Sequence, residues 1–92
     1  MTPTTRVRRA RDTAWRRVED EVAIISMDAN RIRLLNRVGA FLWERCEDAT
    51  VAELVEALCA RFEVDTETAR RDVEAFVEDL RGRGLVATEN VP

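Results

Sequence analysis

Hydrophobic and polar positions change their period near the middle of the chain. Three short segments come first, residues 14–18, 22–27 and 31–35, and they are β-branched, apolar or alternating. Segments of this length and pattern are typical of β-strands. Residues 28–30 have the sequence DAN, which favours a turn. The pattern therefore predicts a three-stranded meander whose third strand, 31–35, lies at a sheet edge.

After residue 36 the apolar positions recur at helical spacing, which predicts three helices. Asn36 is suited to cap the first helix, which runs to about residue 46. Thr50 and Glu53 have the spacing of a capping box for the second helix, and Asp65 can cap the third. The apolar stripe of the third helix comprises Ala69, Val73, Phe76, Val77 and Leu80.

The order of these elements defines the fold class. Strands followed by helices indicate an α+β protein with the helices packed on a small sheet. Two helices joined by a tight turn beside a β-hairpin favour a winged helix-turn-helix-like topology. We therefore predict a three-stranded antiparallel sheet followed by three α-helices. Gly82 and Gly84 can end the third helix, and residues 85–88 can add a short final strand.

Charge divides unevenly along the chain, which has a formal net charge of −3. Residues 1–17 carry six arginines and one aspartate, a net charge of +5. The remaining residues carry nine arginines and seventeen acids, a net charge of −8. An acidic body disfavours binding to nucleic-acid phosphates. We predict a basic flexible tail over 1–13, a folded domain over 14–88 and a frayed end over 89–92.

The side-chain inventory argues against catalysis and against a cofactor. The chain has no histidine, tyrosine or lysine, so three common general acid–base residues are missing. Cys46 and Cys59 are too few for a structural zinc site, and they fit small apolar positions on helices. No apolar run approaches the roughly 18 residues of a membrane helix, and no signal-peptide core is present. We expect a cytoplasmic protein that is not an enzyme.

Three segments together carry a resemblance to a known family: LLNRVGAFLWERCED, TVAELVEAL and RRDVEAFVEDLRGRGLV. Their order and spacing, over roughly residues 15–86, resemble the PqqD-like family. These domains are the precursor-peptide recognition elements of ribosomally made, modified natural products. The matching positions are Leu35, Asn36, Gly39, Ala40, Trp43, Thr50, Val51, Glu53, Asp72, Val73, Phe76, Leu80, Gly84 and Leu85.

The resemblance implies a fold and a function. The fold is the winged helix-turn-helix type, and the role is non-catalytic. The leader segment of a precursor peptide adds as a strand to the third strand, in a groove shared with the third helix. The domain presents this leader to a maturation enzyme such as a radical S-adenosylmethionine protein or a leader peptidase. Trp43 looks more like the broader family than its pyrroloquinoline quinone branch.

Strand addition requires free backbone groups on an accessible edge, which the strand 31–35 offers. Arg31 and Arg33 suit attraction of acidic leader side chains, and they equally suit protection of the edge from aggregation. Ile32 and Leu34 share the other face of the strand. By default such a pair faces the core, with ligand contact as the alternative.

The third helix supplies the second wall of the predicted groove. Arg70, Val77 and Arg81 lie on one flank of this helix, where Val77 can form the floor and the arginines can meet acidic leader residues. The pattern does not decide which flank borders the strand. The opposite flank comprises Asp72, Ala75, Asp79 and Arg83.

Two other functions fit the same topology. A DNA-binding transcription regulator would place base- and phosphate-contacting residues on its recognition helix. The third helix carries three arginines among five acids, which disfavours that role. A subunit whose edge strand pairs with a second copy is the other alternative. The sequence favours a leader-peptide-binding domain, with no membrane partner.

Overall fold

The structure, a computed structural model, describes residues 1–26 and 31–90. The turn predicted at 28–30, Met27 and the last two residues lie outside these ranges. The elements are β1 (Arg6–Arg9), β2 (Thr13–Val18), β3 (Glu21–Ser26), β4 (Arg31–Leu35), α1 (Arg37–Glu44), β5 (Glu47–Thr50), α2 (Val51–Phe62), α3 (Thr66–Gly82) and β6 (Val86–Glu89). The α+β prediction is confirmed, with two three-stranded antiparallel sheets ordered β2–β3–β4 and β5–β1–β6.

All three helices begin at the predicted capping residues. The Asn36 side chain accepts a hydrogen bond from the backbone N–H three residues later, at 2.9 Å. Thr50 and Glu53 form the reciprocal capping box, with distances of 2.8 and 3.1 Å. The Asp65 carboxylate accepts from the N–H three residues later, at 2.7 Å. Each cap satisfies a backbone donor that the helix leaves unpaired, so local sequence fixes these starts.

The sheet β2–β3–β4 fixes which face of β4 points inward. Leu35 is 6% exposed and pairs with the buried Val22 on β3, next to the start of α1. Because strand side chains alternate, Ile32 and Leu34 must face the other way, and each is 70% exposed. The default expectation that these two residues face the core was therefore wrong. Because Leu35 is buried, alternation determines which side chains of β4 face inward and which face outward.

The second sheet, β5–β1–β6, was not predicted from the sequence, although its strand β6 confirms the short final strand predicted over 85–88. Its central strand is β1, which lies inside the predicted tail and buries Val7 completely. Arg8 explains why so basic a strand can fold, since it pairs with Asp48 and Glu89 on the two flanking strands, both at 3.1 Å. Residues 6–9 thus form a strand rather than a tail, because neighbouring acids neutralise their charge.

The core joins both sheets to the helices around Trp43, which is fully buried. Trp15 on β2 meets Trp43 edge to face, with ring centroids 6.4 Å apart. The Arg9 guanidinium lies 5.2 and 5.7 Å from the two ring centroids and donates to the Trp43 carbonyl at 2.8 Å. This packing ties β1 and β2 to α1, the helix that follows β4.

Candidate functional site

The outer edge of β4 is open. This strand pairs with β3 on one side and with no other strand of the described chain. None of the turn, loop or cap hydrogen bonds among the described residues involves the backbone of Arg31–Leu35. In a strand paired on one side, alternate N–H and C=O groups point outward without a partner. The predicted edge is therefore present.

A groove runs along this edge between β4 and α3. Its larger part has a volume of about 480 Å³ and lies between the β4–α1 junction and the middle of α3. A smaller part of about 300 Å³ lies between the start of β4 and the end of α3. Arg33 lines both parts, and the two parts together are here called the β4–α3 groove. Its other lining residues include Arg31, Ile32, Leu34, Leu35, Asn36, Val38, Gly39, Leu42, Asp72, Ala75, Phe76, Asp79, Gly82 and Arg83.

Charges are distributed unequally along the groove. Arg33 of β4 and Arg83, the residue that follows α3, each donate to the Asp79 carboxylate at 3.0 Å. Burial acts to raise the pKa of Asp79, but hydrogen bonds and charge from these two arginines lower it below the usual value. Arg31 and Asp72 have no ion-pair partner among the described residues. The Arg31 end is therefore basic, and the Asp72 end carries one free acid.

Arg33 has a further donor that is not used. Its Nε is buried and makes no hydrogen bond within the described part of the chain. A buried donor without a partner is costly, and most buried polar atoms in proteins are satisfied. The contact that Arg33 makes across the groove to Asp79 is therefore accompanied by one unsatisfied buried donor.

All four predicted strand residues line the groove, but the three predicted α3 residues do not. Val77 is completely buried in the core. Arg70 pairs with Glu67 and Glu74 and lies beside α2, and Arg81 pairs with Glu78. The flank that the sequence left open lines the groove instead, with Asp72, Ala75, Asp79 and Arg83. Both flanks are charged, so the sequence pattern did not separate them.

Sequence reasoning also missed the groove residues contributed by α1 and its cap. Gly39 is one of them, and a Cβ there would lie 3.4 Å from the Leu35 Cβ and the Asn36 Oδ1. Phe76 is half-buried and lines the groove, although its stripe predicts core. The family resemblance could have identified these groove residues, because Leu35, Asn36, Gly39 and Phe76 are all among the positions that carry it.

Other chemistry is sparse in the described chain. Burial raises the pKa of the Cys46 thiol to about 12, which opposes thiolate formation near neutral pH. Within residues 1–26 and 31–90, no group of three or more Cys, Asp or Glu side chains is arranged to hold a metal ion. No helix in those ranges is long and apolar enough to cross a membrane. The groove itself offers backbone and side-chain groups for non-covalent contact.

An open strand edge beside a side-chain groove is the geometry of a domain that can bind an extended peptide by strand addition. The fold and the site together therefore have the features of a peptide-binding domain. The family profile described as coenzyme PQQ synthesis protein D (PqqD) matches residues 21–86. That match covers more than half of the chain, and this protein belongs to the PqqD family.

Solved structures show the same fold over nearly the whole chain. The structure of TbiB1 in complex with the TbiA(beta) leader peptide is 26% identical, with a TM-score of 0.81, and the alignment covers 92% of this chain and 98% of that one. Lasso peptide synthetase B1 complexed with the leader peptide is 21% identical, with a TM-score of 0.79 and coverages of 88% and 96%. The second likeness shows the fold alone. The comparison with curated proteins gave no match.

Proposed function

We propose that this protein binds the leader segment of a ribosomally synthesised precursor peptide as an added strand on β4. It then presents the bound peptide to a separate modifying enzyme and performs no catalysis itself. The observation that carries the proposal is the unpaired edge of β4 beside the groove. Membership of the PqqD family and the likeness to TbiB1, which was solved with a leader peptide, support it.

Strand addition gives the bound leader two distinct faces. Its backbone pairs with the outward N–H and C=O groups of Arg31–Leu35, which supplies affinity without regard to side chains. Alternate leader side chains enter the groove and meet Ala75 and Phe76. The intervening side chains lie on the outer face, next to the exposed Ile32 and Leu34. Apolar leader residues at alternate positions therefore fit this site best.

The charge distribution of the groove favours one order of charged leader residues. An acidic residue fits the end with Arg31 and Arg83, and a basic residue fits beside Asp72. The length of β4 places these ends about four residues apart on an extended peptide, at roughly 3.3 Å per residue. Exposed ion pairs contribute little affinity individually. Their main effect is on the direction in which the leader lies along β4 and on the register in which it pairs with the strand.

A DNA-binding role receives no support from the same surface. A recognition helix must neutralise phosphates and contact base edges. Asp72 and Asp79 instead line the groove side of α3. Binding of an extended peptide requires no such charge, and it uses the open edge that a DNA-binding role would leave unused. The cytoplasmic location predicted from the sequence is part of the proposal.

Amide hydrogen exchange of the full chain, with the leader encoded by a precursor gene beside this one, tests the proposal. Alternate amides of Arg31–Leu35 have no strand partner among residues 1–26 and 31–90 and should exchange quickly. They should become protected when the leader binds, while amides of β2, the opposite edge of the sheet, should not change. Absence of binding, or binding without protection on β4, would contradict the proposal.

A further inference from the structure

A second distinctive surface lies on another flank of α1. Three arginines surround two phenylalanine rings there, and the rings meet edge to face with centroids 5.3 Å apart. The Arg45 guanidinium lies 3.8 Å from the centroid of Phe41, and Arg37 and Arg61 lie 5.4 and 4.9 Å from that of Phe62. These five residues are called the arginine–phenylalanine patch.

The phenylalanine rings position the three guanidinium groups, but no described carboxylate pairs with them. Arg37, Arg45 and Arg61 form no ion pair with any described carboxylate, whereas nine other arginines of the chain do. Cation–π contacts hold a guanidinium group by its face and leave its edge N–H donors available. The patch therefore presents donors in place for an incoming acceptor with little further ordering.

The patch lines a cavity of about 400 Å³ that is positively charged on an otherwise acidic protein. Arg17 and Glu44 also line this cavity and form an ion pair with each other. Asp20 is the remaining acid in the lining. The cavity thus collects four arginines and two carboxylates, a local net charge of +2.

The positions on α1 separate this cavity from the groove. Successive residues of a helix are rotated by about 100°, so Arg37, Phe41 and Arg45 share one flank. Val38 and Leu42 lie on the neighbouring flank, which borders the β4–α3 groove. The two cavities share no lining residue, so a peptide along β4 and a partner on the patch can be bound together.

We infer that the arginine–phenylalanine patch docks an acidic surface loop of the enzyme that modifies the precursor. The identity of that enzyme rests on the proposed function. Carboxylates match the planar guanidinium group and can accept paired hydrogen bonds from it. A nucleic acid is a poorer match, because its backbone charge continues past one small cavity and meets an acidic protein. Leader and enzyme are then held on neighbouring flanks of α1.

The test uses the full chain with the modifying enzyme and the leader encoded beside its gene. The substitutions Arg37→Gln, Arg45→Gln and Arg61→Gln are combined in one variant. A control variant combines Arg11→Gln, Arg16→Gln and Arg71→Gln, which remove the same charge from exposed sites elsewhere. Enzyme binding is followed by biolayer interferometry and leader binding by fluorescence anisotropy.

We expect the patch variant to lose about tenfold or more in enzyme affinity, since each exposed ion pair accounts for roughly two- to fivefold. Most of the loss should be in the association rate, and its dependence on salt should weaken. Leader affinity should stay within about twofold of the unsubstituted chain, as should both affinities of the control variant. A third variant with Arg→Lys at the same three positions should be intermediate, because it keeps charge but not the planar donor arrangement.

Unchanged enzyme binding by a folded patch variant would overturn the inference, as would equal losses in the control. Failure of the leader to bind would overturn the proposed function, while the enzyme titration would still decide the patch. Binding of tripolyphosphate or of a short DNA duplex at these arginines, without enzyme binding, would identify a general anion site or a nucleic-acid site and contradict the assignment.

Discussion

At the scale of single residues, Arg33 connects the two walls of the groove. It pairs with Ile24 on the inner face of the sheet, and its guanidinium reaches Asp79 on α3. Its buried Nε has no partner in the described chain. An unsatisfied buried donor costs about 1–3 kcal/mol. Arg33 therefore holds β4 and α3 together at the cost of one unsatisfied donor.

Ala75 offers the sharpest single-residue test of the groove. It is exposed in the middle of the α3 wall, so Ala75→Trp should fill the groove and reduce leader affinity about tenfold or more. The unfolding free energy should change by less than about 1 kcal/mol, because the site is a solvent-facing helix position.

The matched control is Ala60→Trp on the exposed side of α2. It carries the same helix-propensity cost but lies away from β4. Fluorescence anisotropy with labelled leader, together with urea unfolding, separates the two effects. If both variants bind the leader as tightly as the unsubstituted chain, the peptide does not lie against α3.

The residues of the site were only partly predictable. The strand residues follow from alternation and the position of a capped helix after the strand, which are local properties. The choice between the Arg70 and Asp72 flanks depends on how α3 rotates about its axis against the sheet. Burial of Val77 rather than Phe76 at the centre of the core decides that rotation, and only tertiary packing fixes it.

At the scale of elements, the helix caps make the fold sensitive to acid. Hydrogen bonds from the backbone N–H groups of Thr50 and Thr68 lower the pKa of Glu53 and of Asp65, respectively. A carboxyl group with a lowered folded-state pKa stabilises the fold above its unfolded pKa, which is about 4. That stabilisation is lost as the pH falls through the folded pKa. Stability should therefore decline below about pH 4.

Urea unfolding of the Asp65→Asn variant over this pH range measures the contribution of one cap. Asparagine is also a good capping residue, so stability near pH 7 should change little. The decline on acidification should become shallower, because the variant has no carboxylate to protonate at that cap. An identical acid slope in the variant and the unsubstituted chain would show that other carboxylates control the decline.

Strand prediction succeeded where the pattern was local and failed where partners were distant. The strands β2, β3 and β4 alternate or are strongly apolar, and they are adjacent in sequence. The strand β1 has the sequence RVRR, with Val7 as its single buried side chain. Its partners, β5 and β6, lie about 40 and 80 residues away in sequence. No short-range pattern indicates such pairing, and the arginines indicated solvation instead.

At the scale of the whole molecule, β1 contributes the buried Val7 side chain to the core. The substitution Val7→Ala should therefore lower the stability of the fold. Truncating this buried side chain should cost about 1–3 kcal/mol of unfolding free energy. The same substitution at Val18, which is 54% exposed, should change stability by less than about 0.5 kcal/mol. Chemical denaturation gives both values, and equal small effects would mean that residues 6–9 behave as the tail that the sequence suggested.

The two sheets differ in the charged and apolar side chains that they expose. In the sheet β5–β1–β6, both outer strands pair with β1, and the arginines of β1 form ion pairs with acids. The sheet β2–β3–β4 keeps an unpaired edge with exposed apolar side chains, which in most proteins invites association with other chains. The exposed apolar edge of β4 thus belongs to one sheet, while both sheets contribute buried side chains to the core.

The first and last strands are neighbours, with Arg6 opposite Glu89, and the Thr5 hydroxyl donates to the Asn90 side chain at 2.8 Å. The chain thus enters and leaves the fold at one point, on the sheet that does not form the groove. A larger protein can accommodate such a unit within a single surface loop, without displacing the recognition edge. The same proximity makes the fold suited to circular permutation.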